Sequence, residues 1–97
     1  MNDEVLQVRD EPRELEDGTY WKHTSPRGNV TLWLLVAART AVPGDCRIQL
    51  LYSDEHRQNH MPVGGTSIYP RETLQFYKLW QSISEEDFAL EMLGALP

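Results

Sequence analysis

The sequence predicts a mainly β fold, a small antiparallel SH3-like open barrel that ends in a short α-helix. Three observations support this prediction. The chain has 97 residues, its apolar residues fall in short segments separated by turns that contain Gly or Pro, and a helical pattern occurs clearly only at the C-terminal end. A chain of this length has room for one modest core. A two-layer α+β sheet is the alternative architecture.

The distribution of charge predicts an acidic N-terminal arm, residues 1–17, followed by a single domain, residues 18–97. The arm contains seven acidic and two basic residues and few large apolar ones, so we expect it to be partly disordered. Residues 18–83 contain four acidic and seven basic residues, whereas residues 84–97 contain four acidic residues and no basic one. The formal net charge of −6 therefore arises at the two ends of the chain.

Two strands joined by a polar loop are predicted at the start of the domain. Asp17-Gly18 is a turn signal, and residues 19–23 are rich in β-branched and aromatic side chains. After a polar segment, residues 30–38 are almost continuously apolar. Such a run is typical of a strand that is covered on both faces, so we expect it to lie in the centre of the sheet.

A second turn and a strict alternation predict the third strand. Pro43 and Gly44 have the residue types that a type II turn favours at its two central positions. In residues 46–52, every second side chain is apolar or aromatic, beginning with Cys46. We therefore expect a strand that returns antiparallel to the preceding one.

The segment that follows is less regular. Residues 53–65 are polar and contain Gly64-Gly65, which predicts a long loop. Residues 66–69 can form a short strand, and Pro70 suits the first turn of a helix. For residues 70–83 the apolar spacing permits either a helical turn followed by a strand or a longer helix, and we favour the turn and strand.

The C-terminal helix is predicted at residues 84–93. Ser84 is followed by three acidic residues, an arrangement that resembles a capping box and suits the positive end of a helix dipole. Phe88 and Met92 recur at helical spacing, and Gly94 is a candidate C-cap. We expect one face of this helix to lie against the sheet.

Several signals recur in a fixed order along the chain. Residues 18–23 read Gly-x-Tyr-x-x-His, the central apolar strand contains Val36-Ala37, and Pro70 is followed by Phe76. This order resembles that of small uncharacterised bacterial and phage-borne SH3-like barrel proteins, over roughly residues 18–80. The resemblance implies a compact barrel. That group has no established activity, so the resemblance implies no site residue.

Histidine and cysteine are the residues most capable of chemistry in this chain. His56 and His60 are four residues apart, a spacing at which two imidazoles can bind zinc on a helix face, but their polar neighbours predict an exposed loop, which makes them weak metal candidates. A nucleophilic Cys46 would need His23 as a base beside it, whereas alternation with apolar residues predicts a buried thiol. We therefore predict no catalytic residue and no cofactor.

Three functions agree with these observations. The first is a non-enzymatic interaction or regulatory module with a protein partner, for which the candidate contact residues are Trp21, Tyr69, Arg57, Arg71 and Lys78. The second is a phage-type acidic inhibitor, whose acidic ends occupy a cationic groove of a host nucleic-acid enzyme. The third is a weak binder of single-stranded nucleic acid that uses the basic, aromatic middle segment.

The cellular location of the protein is predicted mainly from targeting and membrane signals that the sequence lacks. The apolar stretch at residues 32–38 is too short to cross a bilayer, the first residues are acidic, and Cys46 is the single cysteine. These features predict a cytoplasmic protein without membrane contact. We expect a monomer or a weak homodimer, because residues 30–38 are apolar on both strand faces.

Overall fold

The structure is a computed structural model that describes residues 13–53 and 63–95. Within these residues the chain forms β1 (Tyr20–Thr24), β2 (Val30–Ala37), β3 (Asp45–Ser53), β4 (Thr66–Pro70), α1 (Arg71–Phe76), β5 (Trp80–Ile83) and α2 (Glu85–Ala95). The predicted mainly β class with a short C-terminal helix is confirmed. In the same residues, no helix is long and apolar enough to cross a membrane.

The strands form one antiparallel sheet in the order β4-β3-β2-β1-β5. The first four strands follow one another as a meander, and β5 returns to pair with β1, so that Tyr20 lies opposite Ile83. The middle strand is β2, as its apolar run predicted. We call the end of the sheet at which β1 and β3 begin the proximal end, and the opposite end the distal end.

The sheet curls until its two edge strands face each other. Tyr69 on β4 and Trp80 on β5 have ring centroids 5.6 Å apart, and Trp33 on β2 lies 6.0 Å from the first ring and 5.8 Å from the second. Tilted aromatic pairs at these separations are favourable beyond the area that they bury. The edges meet through side chains without forming a ladder, which agrees with an open barrel rather than a flat two-layer sheet.

Alternate strand positions supply the core inside this curl. The buried cluster comprises Trp21, Trp33, Leu35, Cys46, Ile48, Leu50, Leu74 and Trp80. The indole N–H groups of Trp21 and Trp33 donate to the Oγ1 atoms of the threonines two residues earlier, at 3.0 and 2.8 Å, so these buried polar atoms are satisfied. Cys46 is fully buried, as predicted, and this burial raises the pKa of its thiol, an effect that the charge of Arg71 reduces.

The predicted type II turn connects β2 to β3. The Asp45 N–H donates to the Val42 carbonyl at 3.2 Å, and Gly44 has a φ of +87°. An L side chain at this φ would be strained, which is why the turn needs glycine at its third position. The Gly44 carbonyl then accepts a hydrogen bond of 2.8 Å from the N–H of Arg71, which ties the turn to the start of α1.

Residues 70–83 form a helical turn and then a strand, in the order that we favoured but with different bounds. Helix α1 occupies Arg71–Phe76, directly after Pro70, and β5 is confined to Trp80–Ile83. The strand does not begin at Leu74 because α1 places this side chain in the core, where it is 0% exposed. Helix α1 thus leads from the proximal to the distal end between the two edges of the sheet.

The last helix has the predicted start and a different end. The Ser84 Oγ accepts a hydrogen bond of 3.0 Å from the Asp87 N–H, which is the predicted N-cap. The helix continues to Ala95, so Gly94 lies inside it and is not a C-cap. Gly94 has no positive φ, and therefore no left-handed cap forms there.

Part of the predicted arm belongs to the domain. The Arg13 guanidinium lies 5.4 Å from the ring of Trp21 and donates to the carbonyls of Leu74 and Trp80. Leu15 packs against the core. Composition predicted an arm up to residue 17 because it does not reveal such long-range contacts. Residues 1–12 lie outside the described residues.

Candidate functional site

The side chains predicted to contact a partner do not share one surface. Trp21 is 1% exposed in the core, and Tyr69 is half-buried. Arg71 follows β4 at the proximal end, whereas Lys78 precedes β5 at the distal end. Arg57 lies outside the described residues. The candidate set from the sequence is therefore not assembled into one site by the residues that the structure describes.

The described residues do not form the metal site or the pair of nucleophile and base that were considered for histidine and cysteine either. His56 and His60 fall outside the described residues, and within those residues no group of three or more His, Cys, Asp or Glu is placed to hold a metal ion. His23 lies level with Ser53, seven residues along β3 from Cys46. At ~3.3 Å per strand residue, His23 and Cys46 are roughly 20 Å apart and do not form a base and a nucleophile.

The aromatic residues of the middle segment largely fill the interior. Trp21, Trp33 and Trp80 are only 1%, 7% and 5% exposed, so none of them presents a ring face to a nucleic-acid base. Arg47 lies on the outer face of the sheet, opposite Ile68 of β4. Among the aromatic residues of the described part of the chain, Tyr77 is the one that is exposed, at 43%, and it is followed by the exposed Lys78.

Helix α2 lies on the outer face of the sheet along β1. Because Trp21 points into the core, its neighbours Tyr20 and Lys22 point outward. Tyr20 stacks on Phe88, with ring centroids 4.2 Å apart and an angle of 12° between the rings. The Lys22 Nζ forms an ion pair of 2.9 Å with the Glu91 carboxylate. Phe88 and Glu91 therefore mark the side of α2 that faces the sheet.

The opposite side of α2 is also apolar. At 3.6 residues per turn, Leu90 and Leu93 lie on the side away from Phe88 and Glu91. These leucines are 59% and 64% exposed, and every other leucine in the described residues is at least partly buried. A surface helix usually carries one apolar stripe that faces the core, whereas α2 carries a second one that faces solvent.

A groove of about 470 Å³ opens beside this helix, and we call it the α2 groove. Its lining residues are Tyr20, Glu85, Phe88, Ala89, Met92 and Leu93. Glu85 is the one charged residue among them. The α2 groove is thus a mostly apolar surface with one carboxylate at its margin.

Acidic residues from both segments of the chain lie at the same end of the sheet as the start of α2. Since Tyr20 pairs with Ile83, the residues just before β1 lie beside those just after β5. Five exposed carboxylates therefore lie at the proximal end: Glu16, Asp17, Glu85, Glu86 and Asp87. The carboxylate of Asp17 accepts a hydrogen bond of 2.6 Å from the Ala38 N–H, which holds the segment before β1 against the end of β2.

The α2 groove and its acidic margin form the candidate functional site, and sequence reasoning did not identify it. One signal was available, because Leu90 and Leu93 do not fall on the stripe of Phe88 and Met92. The proximity of the acidic segments depends on the pairing of β1 with β5 and had no local signal. Comparison of the chain with protein-family models, with curated proteins and with solved structures finds no match.

Proposed function

We propose that this protein is a non-enzymatic interaction module that binds a protein partner through the α2 groove together with Leu90 and Leu93. The supporting observation is that α2 uses one apolar side to pack on β1 and exposes a second. Exposed apolar patches of this kind are typical of interaction sites. Complete burial of one leucine side chain contributes about 1.5–3 kcal/mol, so a partner that covers both leucines gains useful affinity.

The fold supplies a fixed base for such a contact. The stack of Tyr20 on Phe88 and the ion pair of Lys22 with Glu91 hold α2 against β1. A partner therefore meets a helix that is already formed, and it does not have to provide the free energy of ordering one.

Photocrosslinking tests the location of this contact. A photoreactive amino acid at position 93, in cells that naturally express the chain, is expected to give a covalent adduct with one defined protein. The same amino acid at Val42 or Val63 is the control, because these side chains are 57% and 65% exposed but lie away from α2. An identical adduct from all three positions would argue against a specific site.

Affinity purification provides a second test that does not depend on the crosslinker. The double variant Leu90→Asn with Leu93→Asn is expected to lower recovery of the crosslinked protein about tenfold, because the apolar contact is lost. The matched variant Val42→Asn with Val63→Asn removes similar exposed apolar area and is expected to leave recovery unchanged. Equal recovery with both variants would remove α2 from the binding site.

A second candidate function is the inhibition of a nucleic-acid enzyme through occupation of its cationic groove. The location of Glu16 and of the acidic start of α2 at the same end of the sheet favours it, since charge complementarity steers such encounters. This function would be supported if the protein inhibits a purified polymerase or nuclease and if substitution of Glu16 and Glu86 by Gln reduces that inhibition.

The prediction of weak nucleic-acid binding is tested with labelled oligothymidylate at low salt. Because the tryptophans are buried, we expect no change in fluorescence anisotropy.

A further inference from the structure

The surroundings of Leu90 and Leu93 indicate the chemistry of the partner. The acidic first turn of α2 holds Glu85, Glu86 and Asp87, and the helix contains no Lys or Arg. Lys22, which contacts α2 from β1, is already paired with Glu91 at 2.9 Å. The exposed side of the helix is therefore an apolar stripe whose N-terminal margin is anionic and lacks a cation from α2 itself.

We propose that the occupant of the α2 groove is a cationic amphipathic helix of a partner protein. Its apolar side chains contact Met92 and Leu93, which line the groove, and Leu90, which lies beside it. Its Lys or Arg side chains lie beside the acidic first turn of α2. Helix-in-groove recognition uses apolar side chains at i, i+3, i+4 and i+7. The 11 residues of α2 extend about 16 Å, which matches roughly three turns of such a helix. This inference rests on the proposed function.

A second copy of this chain fits the same surface less well. Two α2 helices packed through Leu90 and Leu93 bring two acidic first turns to one interface, and α2 itself supplies no compensating cation. An antiparallel pair separates the two first turns but still leaves their carboxylates unpaired. Buried or crowded carboxylates without partners disfavour association, so charge complementarity selects a cationic partner.

The two parts of the surface are expected to have different roles. Apolar contacts at Leu90 and Leu93 determine most of the affinity, because burial of apolar surface is the dominant favourable term in most protein–protein association. Exposed ion pairs at Glu85 and Glu86 contribute little affinity individually and are screened by salt. They exclude acidic partners and accelerate association with basic ones.

Model peptides test the inference with the full chain. The probe is a dye-labelled helix of about 18 residues, five turns, made of Leu and Lys with Leu at i, i+3, i+4 and i+7. One control has the same composition with scattered leucines, and the other has Glu in place of Lys. By fluorescence anisotropy, the Leu/Lys helix is expected to bind at least about tenfold more tightly than either control, and several-fold more weakly at high salt.

Charge variants distinguish the effect on binding of the acidic residues beside the groove from the effect of the net charge of the protein. Glu85→Gln with Glu86→Gln is expected to weaken binding of the Leu/Lys helix about fivefold and to reduce its salt dependence. Glu14→Gln with Glu72→Gln changes the net charge equally at exposed positions away from α2, and it is expected to leave binding unchanged. Leu90→Asn with Leu93→Asn is expected to weaken binding at least about tenfold, while circular dichroism shows an unchanged fold.

Three results would overturn the inference. The first is that both pairs of charge variants weaken binding of the Leu/Lys helix equally, and the second is that the Leu/Glu helix binds as tightly as the Leu/Lys helix. The third is a dimer in sedimentation equilibrium that Leu90→Asn with Leu93→Asn dissociates, which would make a second copy the occupant. Failure of the inference can be distinguished from failure of the proposed function. If position 93 gives a defined crosslink but the Leu/Lys helix does not bind, the proposal of a protein partner stands and the inference of a cationic helix fails.

Discussion

The two faces of β1 differ in how completely they are covered. On the inner face, Trp21 is 1% exposed, belongs to the core cluster and has the Arg13 guanidinium 5.4 Å from its ring. On the outer face, the adjacent residues Tyr20 and Lys22 each make one contact with α2, a ring stack and an ion pair. The inner face is thus enclosed by several elements, whereas the outer face is covered by one helix.

This difference follows from the size of the chain. A protein of 97 residues can enclose one hydrophobic core, and here the curled sheet and α1 enclose it. No residue of α2 with a described side chain belongs to the buried cluster. Helix α2 is therefore an attached element, and its local opening requires less free energy than global unfolding. The inner face provides stability, and the outer helix leaves apolar surface for binding.

The largest effect is expected from truncation on the inner face of β1. Trp21→Ala removes the largest fully buried side chain of the core and should lower the free energy of unfolding by about 3–5 kcal/mol. Tyr20→Ala, one residue away on the outer face, should cost about 1–1.5 kcal/mol because it loses mainly the stack on Phe88. Urea denaturation measures both values, and similar losses would contradict the difference between the faces.

A smaller effect is expected from Arg13. Arg13→Ala removes the cation over Trp21 and the hydrogen bonds to the carbonyls of Leu74 and Trp80, which should lower the free energy of unfolding by about 1–2 kcal/mol. Arg39→Ala, at an exposed position, is the control and should have little effect. Equal stability of the two variants by urea denaturation would show that the contacts of Arg13 do not stabilise the domain.

The ion pair under α2 should contribute less than Arg13. The Lys22 and Glu91 side chains are 26% and 32% exposed, so solvent screens the pair. A double-mutant cycle of Lys22→Ala and Glu91→Ala should therefore give a coupling of about 0.2–1 kcal/mol. Native-state hydrogen exchange should show that loss of the pair accelerates exchange in α2 more than in β2. Uniform acceleration across both elements would mean that α2 opens only together with the core.

The smallest effect on stability is expected at the exposed side of α2. Leu93→Asn should change the free energy of unfolding by no more than about 0.5 kcal/mol, because the side chain is 64% exposed. Leu74→Ala, at a leucine that is 0% exposed, should cost about 2–5 kcal/mol in the same urea titration. A large loss from Leu93→Asn would show that this leucine supports the fold, and the binding proposal would lose its main observation.

Local signals were sufficient for most of the sheet. Pro43-Gly44 indicated a turn because its backbone requirements are carried by those two residues, and the structure has the turn there. Alternation located β3, and the capping residue Ser84 located the start of α2. The predicted end of α2, with Gly94 as its C-cap, was wrong because a glycine near the end of a helix does not require a left-handed cap.

The candidate site was harder to predict because it combines distant segments. Tyr20 and Phe88 are 68 residues apart in sequence and stack only because β5 pairs with β1 and α2 then returns along β1. Arg13 was placed in a disordered arm for the same reason, since its partners are the carbonyls of residues more than 60 positions away. Neither contact produces a pattern among neighbouring residues.

The sequence by itself determined the fold class, most strand positions and the acidic character of both ends. These properties depend on side-chain alternation, turn residues and composition, each of which acts over a few neighbouring residues. Only the tertiary structure decided that the tryptophans face inward, that the acidic segments meet at the proximal end, and that α2 keeps Leu90 and Leu93 exposed. The physical reason is that strand pairing and the curl of the sheet bring together residues with no local relation in the chain.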